Sequence, residues 1–136
     1  MKNPYLRIFD ANFNRAKEAL RVAEDFSRFL LNQKSLSLAF KKCRHDLSQI
    51  VLRGPLPYRR LVLSRDSIRD VGRAHAIRDL SKADWKQIMA ANLKRAEEAL
   101  RVLEELSKVL MPKASSRLEA LRFRVYELER QSFQKF

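Results

Sequence analysis

The sequence predicts a single all-α domain, a four-helix bundle built from two repeated helical hairpins. Three observations support this prediction. The chain of 136 residues has only two glycines and four prolines. It is also rich in Ala, Leu, Arg, Lys and Glu, which favour helices. Finally, the stretch ANFNRAKEALRVAEDFSRFLL at 11–31 returns eighty residues later as ANLKRAEEALRVLEELSKVLM, with twelve of its twenty-one positions identical.

Start and stop signals divide the chain into four predicted helices. Asn3 followed by Pro4 begins the first, because an N-cap residue and a proline at the first helical position open helices. Residues 53–55, Arg-Gly-Pro, stop the second, and residues 81–84 form a variant capping box that opens the third. Pro112 ends that third helix. The helices are expected at 4–31, 34–52, 81–111 and about 115–131.

The repeat extends into the second helix of each unit. At the same offset of eighty, Ser35 aligns with Ser115 and Arg44 with Arg124. The duplicated unit is therefore predicted to be a hairpin, at about 4–53 and 81–134 of one domain that spans 1–136. Each hairpin has an apolar face that it cannot bury alone, so two hairpins related by an approximate two-fold axis would cover each other.

A long Arg-rich loop is predicted to connect the hairpins, at 54–80. From Arg53 to Arg78 there are seven arginines and no lysine. Arginine is preferred where a planar fork grips phosphate, so the loop is interpreted as a lid over a phosphate-bearing ligand. An exposed basic loop is the alternative. Asp66 and Asp70 are the candidate magnesium partners or base, and the metal ligands are otherwise unknown.

Three polar residues of each repeat lie within or beside the apolar stripe. At 100° per residue with Asn12 at zero, Arg15 falls at about 300°, inside the apolar arc, and Glu18 at about 240°, on its border. Asn92, Arg95 and Glu98 repeat this placement. Buried polar groups need partners. The sequence therefore predicts either an Arg–Glu–Asn network between the hairpins or a polar pocket in which arginine clamps phosphate.

Bulk properties limit the classes of function. The net charge is +13, which favours an anionic partner, either nucleic acid or phosphorylated metabolites. The single cysteine, Cys43, excludes a disulfide framework and is expected to be a buried thiol. No stretch is long and apolar enough for a membrane span, so a cytoplasmic protein is expected. The sequence has no Gly-rich phosphate loop, HExxH motif or DNA-reading motif.

Five stretches in order resemble one family: DANFNRAKEALRVAED, FKKCRHDL, SRDSIRDVG, ANLKRAEEALRVLEE and LRFRVYELE. The family is the compact hydroxymethylpyrimidine phosphate kinases of thiamin biosynthesis, which occur alone or fused to the N-terminus of thiamin phosphate synthase. The resemblance implies phosphorylation of 4-amino-5-hydroxymethyl-2-methylpyrimidine phosphate to its diphosphate by an ATP-dependent phosphotransferase, with Mg²⁺ and ATP. It leaves open whether the chain is a stand-alone enzyme or one domain of a longer protein.

Site roles are assigned by inference among the positions that match the family. The candidate catalytic residues are Arg15, Arg95, Arg44, Arg124 and Asp66. The candidate substrate-binding residues are Asn12, Glu18, Arg21, Asn92, Glu98, Arg101, His45, Arg65 and Asp70. The expected partners are a small phosphorylated pyrimidine, a nucleotide and thiamin phosphate synthase, with a homodimer left open.

Two other interpretations compete with a kinase. A basic helical adaptor that binds nucleic acid or a partner protein would explain the charge. It would explain the matched Asn and Arg in the apolar arc poorly, so nucleic acid is not the favoured partner. A non-catalytic partner of a separately encoded thiamin phosphate synthase is the third interpretation.

Overall fold

A computed structural model describes residues 3–73 and 84–136, and within these residues the chain is all-helical with no strand. The α-helices are α1 (Pro4–Asp25), α2 (Lys34–Leu52), α3 (Tyr58–Leu63), α4 (Trp85–Leu110) and α5 (Ser115–Phe133). A π-helical turn, Phe26–Leu30, extends α1, and a 3₁₀ turn, Pro112–Ala114, precedes α5. The all-α prediction is confirmed. The end of the predicted loop, 74–80, and the predicted helix start at 81–83 lie outside the described residues.

The predicted helix ends agree with the structure where a cap is present. The Asn3 side chain accepts a hydrogen bond from the Tyr5 backbone N–H at 2.9 Å and caps α1. Asp84, which the prediction placed at the third helical position, is the N-cap of α4 and forms a reciprocal capping box with Gln87. In its described part, 54–73, the predicted connecting loop contains a short helix that periodicity missed, α3, which packs against α1.

The four long helices pack as two hairpins whose faces cover each other. α1 contacts α2 and α4, and α5 contacts α4 and α2; α1 and α4 share the largest interface. Fully buried side chains from all four helices form one core, including Phe9, Phe13, Phe40, Leu47, Leu100, Leu103 and Leu118. Burial of each such side chain stabilises the fold by roughly 1.5–3 kcal/mol. The two-fold relation between the hairpins stays a prediction.

Small residues occupy equivalent buried positions on α1 and α4. Ala16 and Ala19 of α1 and Ala96 and Ala99 of α4 are each at most 2% exposed. A methyl side chain allows two helices to approach more closely than larger side chains do. Small side chains at these positions allow close packing of the helices beside the polar residues described below.

The two hairpins differ in the length of their turn. Residues 31–33 separate the π-helical turn from α2, whereas Met111 alone separates α4 from the 3₁₀ turn. The offset between equivalent residues consequently falls from eighty in α1 and α4 to seventy-eight in α2 and α5. The buried series Leu36, Phe40, Cys43, Leu47 and Ile50 then matches Ala114, Leu118, Leu121, Val125 and Leu128.

This change of register corrects the predicted pairing of Arg44 with Arg124. Arg44 Nε donates to Glu24 Oε2 at 2.9 Å, and the equivalent Glu104 Oε2 accepts from Arg122 Nε at 2.8 Å. Arg122 therefore takes the structural place of Arg44. Arg124 lies on another face of α5, where its Nη1 donates to Asp46 Oδ2 of α2 at 2.8 Å.

The π-helical turn leaves one buried hydroxyl without a partner. Ser107 Oγ donates to the Glu104 carbonyl at 2.6 Å, whereas the equivalent Ser27 Oγ is buried and has no hydrogen-bond partner. We expect Ser107→Ala to lower the free energy of unfolding by about 1 kcal/mol and Ser27→Ala to leave it unchanged or raise it, because only the former loses a hydrogen bond. Urea unfolding of both variants measures the difference. Equal losses would contradict the assignment.

Within the described ranges, no helix combines the length and the apolar character needed to cross a membrane.

Candidate functional site

A cleft between α1 and α4 brings together polar residues from both repeats. Its volume is about 310 Å³, and its lining residues are Asn12 and Arg15 from α1 and Arg95, Glu98, Ala99 and Val102 from α4. We call this the α1–α4 cleft. Four of the predicted site residues therefore meet in one place, although the two from α1 and the two from α4 are about eighty residues apart in sequence.

The asparagines are held by their own helices. Asn12 is 5% exposed, and its Nδ2 donates to the Ile8 carbonyl one turn earlier at 2.9 Å. Asn92 Nδ2 makes the same bond to the Ile88 carbonyl, also at 2.9 Å, but Asn92 does not line the cleft. These bonds explain how an amide can lie on an apolar stripe without a partner in the other hairpin.

The prediction that Arg15 and Arg95 are buried is wrong, because both side chains are exposed. They begin at the edge of the apolar stripe, and their long stems carry the guanidinium groups to solvent at the mouth of the cleft. The predicted Arg–Glu–Asn network is also absent. Within residues 3–73 and 84–136, neither Arg15 nor Arg95 has an ion-pair partner.

In this respect the two cleft arginines differ from seven arginines of the described residues. Other arginines form ion pairs with carboxylates: Arg21, Arg44, Arg65, Arg101, Arg122, Arg124 and Arg130. Two guanidinium groups against one carboxylate, Glu98, leave the cleft with a net positive charge. Guanidinium N–H groups match the oxygens of phosphate in pairs. The α1–α4 cleft can therefore bind a phosphate group.

The structure distributes most of the other predicted site residues over three further cavities. Glu18, Arg21 and Arg44 line one of about 440 Å³. Arg124 lines another of about 380 Å³ between α2 and α5, where its hydrogen bond lowers the pKa of Asp46. Arg65, Asp66 and Asp70 line a third of about 120 Å³. His45, Asn92 and Arg101 line none of these cavities.

A buried acid that the sequence reasoning missed anchors the connecting segment. Asp10 is 3% exposed. Its two carboxylate oxygens accept from Arg65 Nε at 2.6 Å and from Arg65 Nη2 at 3.0 Å. This two-pronged bond raises the pKa of Arg65. The sequence signal that could have found this pair is the position of Asp10 between the apolar residues Phe9 and Phe13, because a buried carboxylate needs a cationic partner.

The residues near Asp66 and Asp70 do not fit a magnesium site. One oxygen of Asp66 accepts the Arg69 backbone N–H at 3.2 Å, and one of Asp70 accepts that of Gly72 at 2.9 Å. The same cavity contains the cationic side chains of Arg7 and Arg65. Among the described residues, no three His, Cys, Asp or Glu side chains are grouped to hold a metal.

Glu97 of α4 has a buried carboxyl group outside the cleft. Glu97 is 2% exposed; its Oε1 accepts from Lys94 Nζ at 2.9 Å, and its Oε2 has no hydrogen-bond partner. Burial raises the pKa of Glu97, the hydrogen bond from Lys94 opposes that shift, and the charge of Glu129 on α5 adds to it. The equivalent residue of α1 is Lys17, so the first hairpin has no such acid.

We expect Glu97→Gln to raise the free energy of unfolding at pH 7 by up to about 1 kcal/mol, because it removes a poorly solvated charge. The folded protein holds the Glu97 proton more tightly than the unfolded chain does. The stability from that proton is fully present below the ordinary pKa of 4.5 and is lost as the pH rises through the raised value. The advantage of the variant should therefore vanish towards pH 4.

Urea unfolding between pH 4 and pH 8 tests this expectation. Glu105→Gln is the matched control, because hydrogen bonds from Lys108 lower the pKa of that exposed acid. A gain in Glu97→Gln that does not change with pH would show that packing, and not charge, is responsible.

Comparison with known proteins places these features in a family. The model of the ThiD2 family matches residues 7–131. The chain is 41% identical over 125 residues to a thiamine-phosphate synthase from Synechocystis sp., covering 90% of this chain and 34% of that protein. It is 39% identical over 122 residues to one from Rhodopirellula baltica, covering 89% of this chain and 32% of that protein. No solved structure matches.

These relatives support thiamin biosynthesis, the pathway expected from the resemblance, but they correct the predicted activity. The prediction of an ATP-dependent phosphotransferase is contradicted, because the relatives at about 40% identity are named for a synthase and not for a kinase. The chain spans about a third of the length of the relatives it matches. With the family model covering nearly its whole length, the chain belongs to the ThiD2 family.

Proposed function

We propose that the α1–α4 cleft binds the phosphate group of a phosphorylated pyrimidine intermediate of thiamin biosynthesis, and that the chain acts alongside a thiamine-phosphate synthase. One observation carries the proposal: Arg15 and Arg95, from different hairpins, line one cleft without a carboxylate partner in the described part of the chain. The names of the relatives supply the pathway and the partner.

The lining of the cleft suits each part of 4-amino-5-hydroxymethyl-2-methylpyrimidine phosphate. Arg15 and Arg95 would donate to the phosphate oxygens from the two helices. The apolar side chains of Ala99 and Val102 offer a surface for the ring. Glu98 could accept a hydrogen bond from the 4-amino group, since a carboxylate is an acceptor for such N–H donors. The two arginines would thus bind the phosphate group, and Glu98 would favour a ring that carries the 4-amino group.

Calorimetric titration at fixed ionic strength tests the proposal. We expect the pyrimidine phosphate to bind at least tenfold more tightly than the unphosphorylated alcohol, because each charge-assisted hydrogen bond contributes about 1.5–3 kcal/mol. The wild type should bind an analogue without the 4-amino group more weakly than it binds the pyrimidine phosphate. The wild type and Glu98→Gln should bind that analogue with equal affinity. Equal affinity for ester and alcohol would refute the proposal. So would binding of nucleic acid alone with a steep salt dependence.

The same samples distinguish binding from chemistry. After addition of ATP and magnesium, phosphorus NMR would show whether a diphosphate accumulates. Our proposal expects the pyrimidine phosphate to remain unchanged. A diphosphate that disappears in the Arg15→Met/Arg95→Met double variant would show that the cleft transfers a phosphoryl group as well as binding one.

A further inference from the structure

A second cavity, at the turn of the first hairpin, has a lining of similar chemistry. Its volume is about 400 Å³, and it contacts the π-helical turn through Arg28 and the start of α2 through Lys34, Ser37 and Lys41. We call it the tip cavity. It shares no lining residue with the α1–α4 cleft, so its ligand would be bound separately.

The cations of the tip cavity are not neutralised by nearby acids. In the described ranges Arg28, Lys34 and Lys41 form no ion pair, although Arg28 lies over the ring of Phe29 at 4.7 Å. The one acid that lines the cavity, Glu24, is bound to Arg44 at 2.9 Å. The cavity therefore has three uncompensated positive charges.

The hydroxyl of Ser37 and a helix start add donors at the same place. Ser37 lines the cavity and is 8% exposed, and its hydroxyl has no hydrogen-bond partner within residues 3–73 and 84–136. α2 has 19 residues and begins at Lys34, and its N-cap Gln33 makes no side-chain cap. The first N–H groups of a helix attract anions.

The second hairpin lacks two of the three cations. The position equivalent to Lys34 is Pro112, and the position equivalent to Lys41 is Glu119. The turn is also two residues shorter and has no counterpart of Asn32, which lines the tip cavity in a left-handed conformation with φ 53°. The charges of Lys34 and Lys41 are therefore specific to the first hairpin, and Lys108, at the position equivalent to Arg28, is paired with Glu105.

From this geometry we propose that the tip cavity is a second anion-binding site, which takes a small ligand bearing a phosphate or diphosphate group. Arg28, Lys34 and Lys41 bind its oxygens, and the Ser37 hydroxyl donates to one of them. Leu38 provides the apolar part of the lining. A ligand with phosphate and a small apolar body fits this lining better than a bare ion does.

NMR titration of the full chain tests this site, since its mass of 16.0 kDa suits amide spectra. Inorganic phosphate and pyrophosphate are the probes, with sodium chloride added to the reference to match ionic strength. We expect the amide signals of residues 34–37 to shift with saturation, and the Lys34→Gln/Lys41→Gln variant to bind at least tenfold more weakly.

A matched variant controls for net charge. Lys108→Gln/Lys113→Gln removes two charges from the turn of the second hairpin and should bind the probes at residues 34–37 as the wild type does. Arg15→Met should also retain these shifts, so failure of the α1–α4 cleft would not be mistaken for failure of the tip cavity. No saturable shift at residues 34–37, or equal loss in both lysine variants, would overturn the proposal.

Discussion

Replacing Arg15 or Arg95 by methionine is expected to weaken binding of the pyrimidine phosphate by about tenfold to a hundredfold. Each guanidinium would donate charge-assisted hydrogen bonds worth about 1.5–3 kcal/mol, and 1.4 kcal/mol corresponds to tenfold in Kd. Methionine keeps an unbranched apolar stem and removes the charge together with the N–H donors. Neither arginine has an ion-pair partner in the described residues, so the folded state should lose little stability. Calorimetry measures the affinity and urea unfolding the stability.

Arg130→Met provides the matched control for this loss of charge. Arg130 is exposed on α5, pairs only with its neighbour Glu127, and lines none of the cavities described above. The Arg130→Met variant should bind the pyrimidine phosphate with wild-type affinity. If Arg130→Met weakens binding as much as Arg15→Met does, a diffuse positive field and not the cleft attracts the ligand, and the proposed function fails.

Arg122→Met should be the most destabilising of these substitutions, by about 3 kcal/mol. Arg122 is 8% exposed; its Nε donates to Glu104 Oε2 at 2.8 Å and its Nη1 donates to Tyr126 Oη at 3.2 Å. Its removal leaves Glu104, which is 5% exposed, as a buried carboxylate with one distant cation, Arg101 at 3.6 Å. Breaking a buried pair from one side costs about 3–5 kcal/mol.

Arg124→Met is the matched control, because Arg124 is the residue that aligns with Arg44 at the sequence offset of eighty. Arg124 and Asp46 have side chains that are 42% and 32% exposed, and exposed pairs contribute about 0–1 kcal/mol. We therefore expect a loss of no more than about 1 kcal/mol by urea unfolding. If Arg124→Met destabilised the protein more than Arg122→Met, the offset of eighty would be the correct register for α5.

Local signals predicted the helices well and the relation between them less well. The bounds of α2 agree with the prediction because its stop, Arg53-Gly54, is encoded in the residues themselves. The short helix α3 was missed because its formation depends on burial of Leu61, which is a contact with the rest of the fold. The shift of register was hidden because Ser35/Ser115 and Arg44/Arg124 match at the wrong offset.

The candidate site was predictable in its residue types and not in its geometry. The helical wheel indicated that Asn12, Arg15, Arg95 and Glu98 share a stripe with apolar residues, and the structure brings these four together. A wheel gives the direction in which a side chain leaves the helix. It does not give the place where a long side chain ends, which is why the guanidinium groups are at the mouth of the cleft.

We expect the buried alanines of α1 and α4 to limit the width of the α1–α4 cleft. Ala99 both lines the cleft and is only 2% exposed, so a single methyl group serves the core and the ligand surface together. A bulkier side chain there would push the helices apart and widen the gap between the two guanidinium groups. The packing of α1 against α4 and the affinity of the cleft for an anion would thus depend on the same helix spacing. A substitution that changes one of them should therefore change the other.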